Sequence, residues 1–137
     1  MPKTDTKTQI LNSAERLFAQ KGFDAVSLRN IIETAGVNLA AVHYHFGSKQ
    51  ALLHAVVSRR FSPINKERLA MLAEARTNAG KHKPKLETVL EALFVPVFRA
   101  KASHKSEGSF TRLIGRVVFD RNAELQQFML KELSQVV

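Results

Sequence analysis

The stretch from Ser27 to Lys49, Ser-Leu-Arg-Asn-Ile-Ile-Glu-Thr-Ala-Gly-Val-Asn-Leu-Ala-Ala-Val-His-Tyr-His-Phe-Gly-Ser-Lys, holds two short helices separated by a tight turn. Ser27 is placed to cap a helix whose apolar face is Leu28, Ile31, Ile32 and Ala35, and Gly36 stops it. Asn38 is itself a good cap, so a second helix starts almost at once, with Val42 and Phe46 four apart and turned inward. Gly47 ends that helix and Ser48 caps the next. This is helix-turn-helix grammar. Such a unit works on DNA because its first helix braces against the backbone while the second enters the major groove, about 12 Å wide, with its N-terminal residues facing base edges.

With Val42 and Phe46 turned inward, the residues left outside are Leu39, Ala40, Ala41, His43 and Tyr44, with His45 near the rim. Apolar Leu39, Ala40 and Ala41 at an exposed helix start suit close approach to thymine methyl groups, and His43, Tyr44 and His45 can hydrogen-bond phosphates or bases. Lys49, one residue past Ser48, opposes the dipole of the helix it opens, a sign that a bound phosphate reverses. Arg29, in the first turn after Ser27, is assigned the same backbone-clamping role. Ser27, Arg29, Leu39, Ala40, Ala41, His43, Tyr44, His45 and Lys49 therefore form the candidate DNA-contacting set.

Outward from this stretch the periodicity stays helical. Ile10, Ala14, Leu17 and Phe18 mark a first helix, capped by Asp5 or Thr6 and stopped by Gly22 in a left-handed conformation. Leu52, Leu53, Val56, Val57 and Phe61 carry a stripe into a long fourth helix reaching Ala79. Gly80 to Lys85 is the clearest break in the chain. A fifth helix follows through Leu86, Val89, Leu90, Leu93 and Val97, interrupted by Pro96, whose missing N–H is expected to kink it. Lys101 to Gly108 reads as a polar connection, Phe110 to Val118 as a short sixth helix, and Asn122 caps a seventh containing Leu125, Phe128, Met129, Leu133 and Val136. No repeat and no alternating strand pattern competes, so the fold class is all-α. A three-helix DNA-binding domain at 1–50 is expected, followed by a helical regulatory domain at 51–137.

With 21 Lys and Arg against 12 Asp and Glu, the formal charge of +9 favours a polyanionic partner, nucleic acid or an anionic membrane surface. The excess is spread over both halves. Zero cysteines exclude a disulfide framework and thiolate metal sites, and fit a reducing compartment. The residues before Ile10 lack the apolar core of a signal peptide, and no stretch approaches the roughly 20 apolar residues of a membrane span. A soluble protein of the bacterial cytoplasm, associated with the nucleoid and not with a membrane, is the expectation.

Leu-Phe-Ala-Gln-Lys-Gly-Phe (17–23), Ser27, Gly36-Val37, Tyr44-His45-Phe46 and Ser48-Lys49, taken as a set, resemble the TetR family of helix-turn-helix transcriptional regulators over residues 8 to 60. The run from Gly36 to Lys49 is similar to the fatty-acid-responsive PsrA-like subgroup. The resemblance implies a homodimer on a pseudo-palindromic operator, a ligand pocket in the C-terminal helices, and dimerisation through the last two. It also implies a repressor released by a small apolar effector, a fatty acid or acyl thioester on the subgroup likeness. Family members usually have nine or more helices, so seven reads as a truncated second domain without its dimer-forming pair.

Phe94, Phe98, Phe110, Leu113 and Met129 can line that pocket beside Pro96, or can belong to plain core; the spacing is compatible with both. The competing function class is a lipid-binding or protein-docking module in residues 61 to 137, with DNA contact secondary. His43 and His45 are two apart on a helix and face different directions, which speaks against a metal site. His82 and His104 fall in polar linkers and read as solvated surface. A phosphate loop, a nucleophile elbow, paired acids in a cleft and a metal cluster are all missing from the sequence, so no catalytic residue and no cofactor is expected.

Overall fold

Each of the first four helices begins on a side-chain oxygen that replaces an intrahelical acceptor its first turn lacks. In the computed structural model, which describes residues 5–103 and 108–134, α1 (Thr6–Lys21) opens on Asp5, whose carboxylate accepts the Thr8 N–H at 2.7 Å. The hydrogen bonds from Thr8 hold the Asp5 carboxyl below its usual value. Helix α2 (Leu28–Ala35) opens on Ser27, α3 (Leu39–His45) on Asn38, and α4 (Lys49–Ala79) on Ser48. Helix α5 (Leu86–Ser103) follows the break at Gly80, α6 (Gly108–Phe119) comes next, and α7 (Ala123–Ser134) starts on the Asn122 side chain, which accepts the Glu124 and Leu125 N–H groups.

Helices α1, α2 and α3 pack on one another, α4 and α6 both pack on α1, and α5 and α7 pack on α4. A continuous buried cluster runs through them, from Ile10, Ala14 and Phe18 through Ile31 and Val42 to Leu52, Val56, Phe61, Phe110, Leu113 and Leu125. Among the described residues the fold is entirely α-helical, and no helix is long and apolar enough to cross a membrane.

Among the described residues, one carboxylate is buried inside this apolar cluster. Glu15 is only 3% exposed, and Arg60 donates to it from two nitrogens, at 2.5 and 2.7 Å, while Arg59 donates at 3.1 Å. Burial pushes this carboxyl upward, but the bonds and charges of Arg60 and Arg59 outweigh it and hold it below the usual glutamate value. The Arg60 guanidinium also lies over the Phe110 ring, 5.6 Å from its centroid, so one side chain of α4 ties α1 to α6.

Three expectations change. Gly22 does stop α1 at positive φ, but with φ 85° and ψ 167° it is extended rather than left-handed helical, a region open essentially to glycine. A Cβ there would stand 3.3 Å from the Arg116 guanidinium. The polar connection expected from Lys101 starts later, because α5 continues to Ser103, whose hydroxyl donates back to the Arg99 carbonyl at 3.0 Å. Helix α6 already begins at Gly108, which was expected to close that connection. Pro96 lies inside α5 as expected, and Arg68 of α4 donates to the Leu93 carbonyl in the preceding turn at 2.8 Å. A second proline, Pro63, sits inside α4. His104, Val136 and the side chain of Leu133 lie outside the described residues.

Removing one partner of a buried ion pair strands the other, so Glu15→Gln is expected to cost about 3 kcal/mol in a urea unfolding series at pH 7. Because the folded carboxyl titrates below the unfolded one, its stabilisation is fully present above the ordinary glutamate range and is lost as pH falls through the folded value. The difference between wild type and Glu15→Gln is therefore expected to shrink on acidification toward pH 3. A constant difference would contradict the charge-based account.

Candidate nucleic-acid interface

The helix-turn-helix geometry is fixed by its own backbone and caps. Ser27 accepts the Asn30 N–H and donates its hydroxyl proton to Asn30 Oδ1, which also accepts the Ser27 N–H, a closed capping box. Gly36 is left-handed at φ 70° and ψ 34°; its N–H and that of Val37 both return to the Ile32 carbonyl, at 2.9 and 3.1 Å. Asn38 then caps α3 by accepting the Ala41 N–H at 2.9 Å. The chain turns between α2 and α3 within Gly36, Val37 and Asn38, and Val37 packs on the core.

Val42 is fully buried and Phe46 packs against the core, which fixes how α3 is rotated. Tyr44, 84% exposed, and Ala40, one turn before it, stand at the middle of the outward face. Leu39 is 45% exposed and His43 is exposed beside it. The His45 ring is half-buried behind Tyr44, edge-on to it with centroids 4.9 Å apart, which braces the tyrosine from behind. Ala41 differs from expectation: it is half-buried and packed on the core, because its place on the wheel turns it toward the other helices.

His43 is not a free imidazole. Its Nδ1 lies 3.0 Å from the carbonyl oxygen of Gly47, the positive-φ glycine that ends the turn after α3. Sequence reading missed this bond, although the spacing of four residues across a helix end was a usable signal. Ser27 is likewise occupied, since its only hydroxyl proton goes to Asn30; its part is to set the start of α2 rather than to offer a spare donor. Arg29 points outward and makes an exposed pair with Glu33 at 3.2 Å, the kind of surface contact worth no more than about 1 kcal/mol and readily exchanged for a phosphate.

Lys49 is the first residue of α4, half-buried, on a helix of 31 residues with no acidic side chain in its first turn. The first turns of α2 and α3 also carry no acidic residue, whereas the start of α1 is occupied by the Asp5 carboxylate. Positive helix ends without acidic neighbours are suited to phosphate rather than to a cation. No group of three or more His, Cys, Asp or Glu side chains able to hold a metal ion occurs among the described residues.

The five residues read as a possible pocket are not brought together. Phe94 and Phe98 are 56% and 67% exposed on α5, because the smaller stripe containing Ala92 and Pro96 is the one buried. Phe110 and Leu113 are buried in the shared core. Phe110 also edges a cleft of about 250 Å³ between α4 and α5, beside Pro63 and Pro96, whose walls include Arg59, Arg60, Glu67 and Arg99. Met129 packs on the edge of that core and lines a separate apolar depression of about 350 Å³ with Val117, Val118 and Leu130. Sequence reading also missed Arg116, which reaches from α6 to the Gln20 carbonyl at 3.2 Å at the end of α1, and His54 of α4, stacked on Phe128 of α7 at 4.2 Å.

A capped helix-turn-helix presenting a small-residue face with one projecting tyrosine defines a DNA-binding protein of the helix-turn-helix class. Residues 10–56 match the family described as bacterial regulatory proteins, tetR family, and this segment is a domain of that family. YttP of Bacillus subtilis (strain 168), described as an HTH-type transcriptional regulator, is 30% identical over 127 residues, which are 93% of this chain and 57% of YttP. IcaR of Staphylococcus aureus (strain Newman), described as a negative transcriptional regulator of the biofilm operon icaADBC, is 29% identical over 72 residues, covering 53% of this chain and 38% of IcaR. Among solved structures, a protein of Shewanella sp. PV-4 described as a tetR family transcription regulator superposes with TM-score 0.63 at 19% identity over 97% of this chain and 64% of that one. The fatty acid degradation regulator FadR of Bacillus halodurans gives TM-score 0.55 at 18% identity over 98% and 63%. The chain thus spans 57% of the length of YttP and less than two thirds of both solved neighbours.

The Asn38 cap sets the start of α3, so Asn38→Ala is expected to lower stability by about 1 kcal/mol in chemical denaturation. A neutral effect would mean that core packing alone fixes α3.

Proposed function

We propose that this chain is a sequence-specific DNA-binding transcriptional regulator, acting as a repressor that a small apolar effector releases. The observation that carries the reading is the outward face of α3, where Ala40 and Tyr44 project from a helix whose caps and buried Val42 leave it no freedom to rotate. A face of small and apolar residues with few charges fits into a major groove, and the charged groups stand around it at helix starts, as Arg29 and Lys49 do. The net charge of +9 supports the same partner.

On this reading residues 1–50 form the DNA-binding domain and 51–137 the regulatory one. Two copies place their α3 helices in successive major grooves about 34 Å apart on a pseudo-palindromic operator in the bacterial cytoplasm. An effector that binds better to a splayed dimer shifts the population away from the DNA-competent state. A fatty acid or acyl thioester is the effector class we favour; the FadR-like fold and the apolar depression beside Met129 are compatible with it. One observation favours a second reading, a docking function for residues 61 to 137: Leu86, Leu90, Phe94 and Phe98 form an exposed apolar row, four residues apart, along α5.

Lys49→Ala is expected to weaken binding to every duplex alike and to reduce the slope of log affinity against log salt by about 1. Tyr44→Ala is expected to change the ranking among duplexes as well. Fluorescence anisotropy on a selected sequence and on scrambled DNA at several salt concentrations measures both, and equal loss on all duplexes for the two variants would contradict the placement of α3.

A further inference from the structure

We propose that His43 is a specificity-determining residue of α3, and that it reads DNA as a hydrogen-bond acceptor for an exocyclic amino group in the major groove, N6 of adenine or N4 of cytosine. The inference rests on the reading of α3 as the recognition helix, and it adds the polarity of the readout.

In the neutral ring, the bond between Nδ1 and the Gly47 carbonyl, 3.0 Å long, determines that polarity. A carbonyl oxygen has no proton to give, so the proton must sit on Nδ1. A neutral imidazole carries one such proton, which leaves Nε2 with a lone pair and no hydrogen. Nε2 lies across the ring from Nδ1 and so points away from the turn, on a side chain that is exposed. The partner carbonyl is itself held: Gly47 adopts φ 89°, and its N–H returns to the Val42 carbonyl at 3.3 Å. The ring is thus pinned at one end by backbone, which is how a side chain acquires a fixed rather than adaptable polarity.

Its neighbours on the outward face have no comparable property. Leu39 and Ala40 carry no polar side-chain atom, and the Tyr44 hydroxyl both donates and accepts and can rotate to suit either. In the major groove, adenine and cytosine offer an amino donor where guanine and thymine offer the acceptors O6 and O4. An acceptor at Nε2 is attracted by the first pair and repelled by the second, so His43 separates adenine from guanine and cytosine from thymine at one position per half-site.

Two measurements on the 137-residue chain test this. In the free protein, nitrogen-15 NMR of the His43 ring at neutral pH is expected to show a protonated, pyrrole-like Nδ1 and a pyridine-like Nε2; the opposite tautomer would overturn the proposal. Selection from random duplexes then gives the preferred sequence, and each adenine or cytosine is replaced in turn by purine or 2-pyrimidinone, which lack the amino group. At one position the wild type is expected to lose affinity on the order of five- to tenfold, as for one neutral hydrogen bond. His43→Ala is expected to lose nothing further at that position, because the comparison is made within each variant. His43→Lys, a pure donor, is expected to move the preference there to guanine or thymine. A selected sequence with no amino group coupled to His43 would refute the acceptor role and leave the DNA-binding reading standing. Absence of any selected sequence would refute both.

Discussion

A carboxylate within an apolar core is stable only when cations and hydrogen bonds replace the water it has lost, and the arrangement of this molecule follows from how Glu15 meets that condition. Its two oxygens are approached by Arg59 and Arg60, consecutive residues near the middle of α4, so α1 and α4 can pack in only one register. Hydrophobic contacts alone would tolerate a slide of one turn, since Leu52, Val56 and Leu53, Val57 repeat with the helical period. The ion pair does not. Arg60 carries the constraint onward by lying over Phe110, which seats α6 on the same junction.

From that junction the three-helix unit is held at several points by helices outside it. Arg116 of α6 donates to the Gln20 carbonyl at the end of α1, where unpaired carbonyls favour a cation. The helix it terminates leads through Gly22 into Phe23 and Val26, both buried, and so into α2. Along α4, Gln50 lies 3.1 Å from the His54 ring, and His54 stacks on Phe128 of α7. Lys49 at the start of α4 is therefore one residue from a chain of contacts that ends on α7.

The DNA-facing surface divides the work that its chemistry allows. On the proposed reading, affinity comes from charge at helix starts, where Lys49 stands with backbone N–H groups and no acidic neighbour in the first turn, and Arg29 can exchange its exposed pairing with Glu33 for a phosphate. On the same reading, discrimination falls to α3, whose outward face is small, apolar and almost uncharged. A charged face would hold phosphates and bases alike. The bond from His43 to the Gly47 carbonyl bears on that proposal because it selects one of the two tautomers a neutral imidazole can adopt.

Much of this was legible in the linear chain. Asp5, Ser27, Asn38, Ser48 and Asn122 each proved to be the cap their position announced, because capping involves residues three or fewer apart and needs no tertiary partner. The inward Val42 followed from helical period alone, as did the outward Tyr44. Other features were decided only by folding. α5 has two apolar stripes, and nothing in its periodicity says that Ala92 and Pro96 go inside while Phe94 and Phe98 stay out; the close approach of α4 selects the smaller side chains. Glu15 looks like an ordinary surface acid until Arg59 and Arg60, more than forty residues away, are brought beside it. The sequence by itself determined where the five side-chain-capped helices start and which domain class the first half forms, since local hydrogen bonds and period specify both. Only the tertiary structure decided which apolar face is core and which charges are buried, because those depend on the distance between helices that the chain keeps far apart.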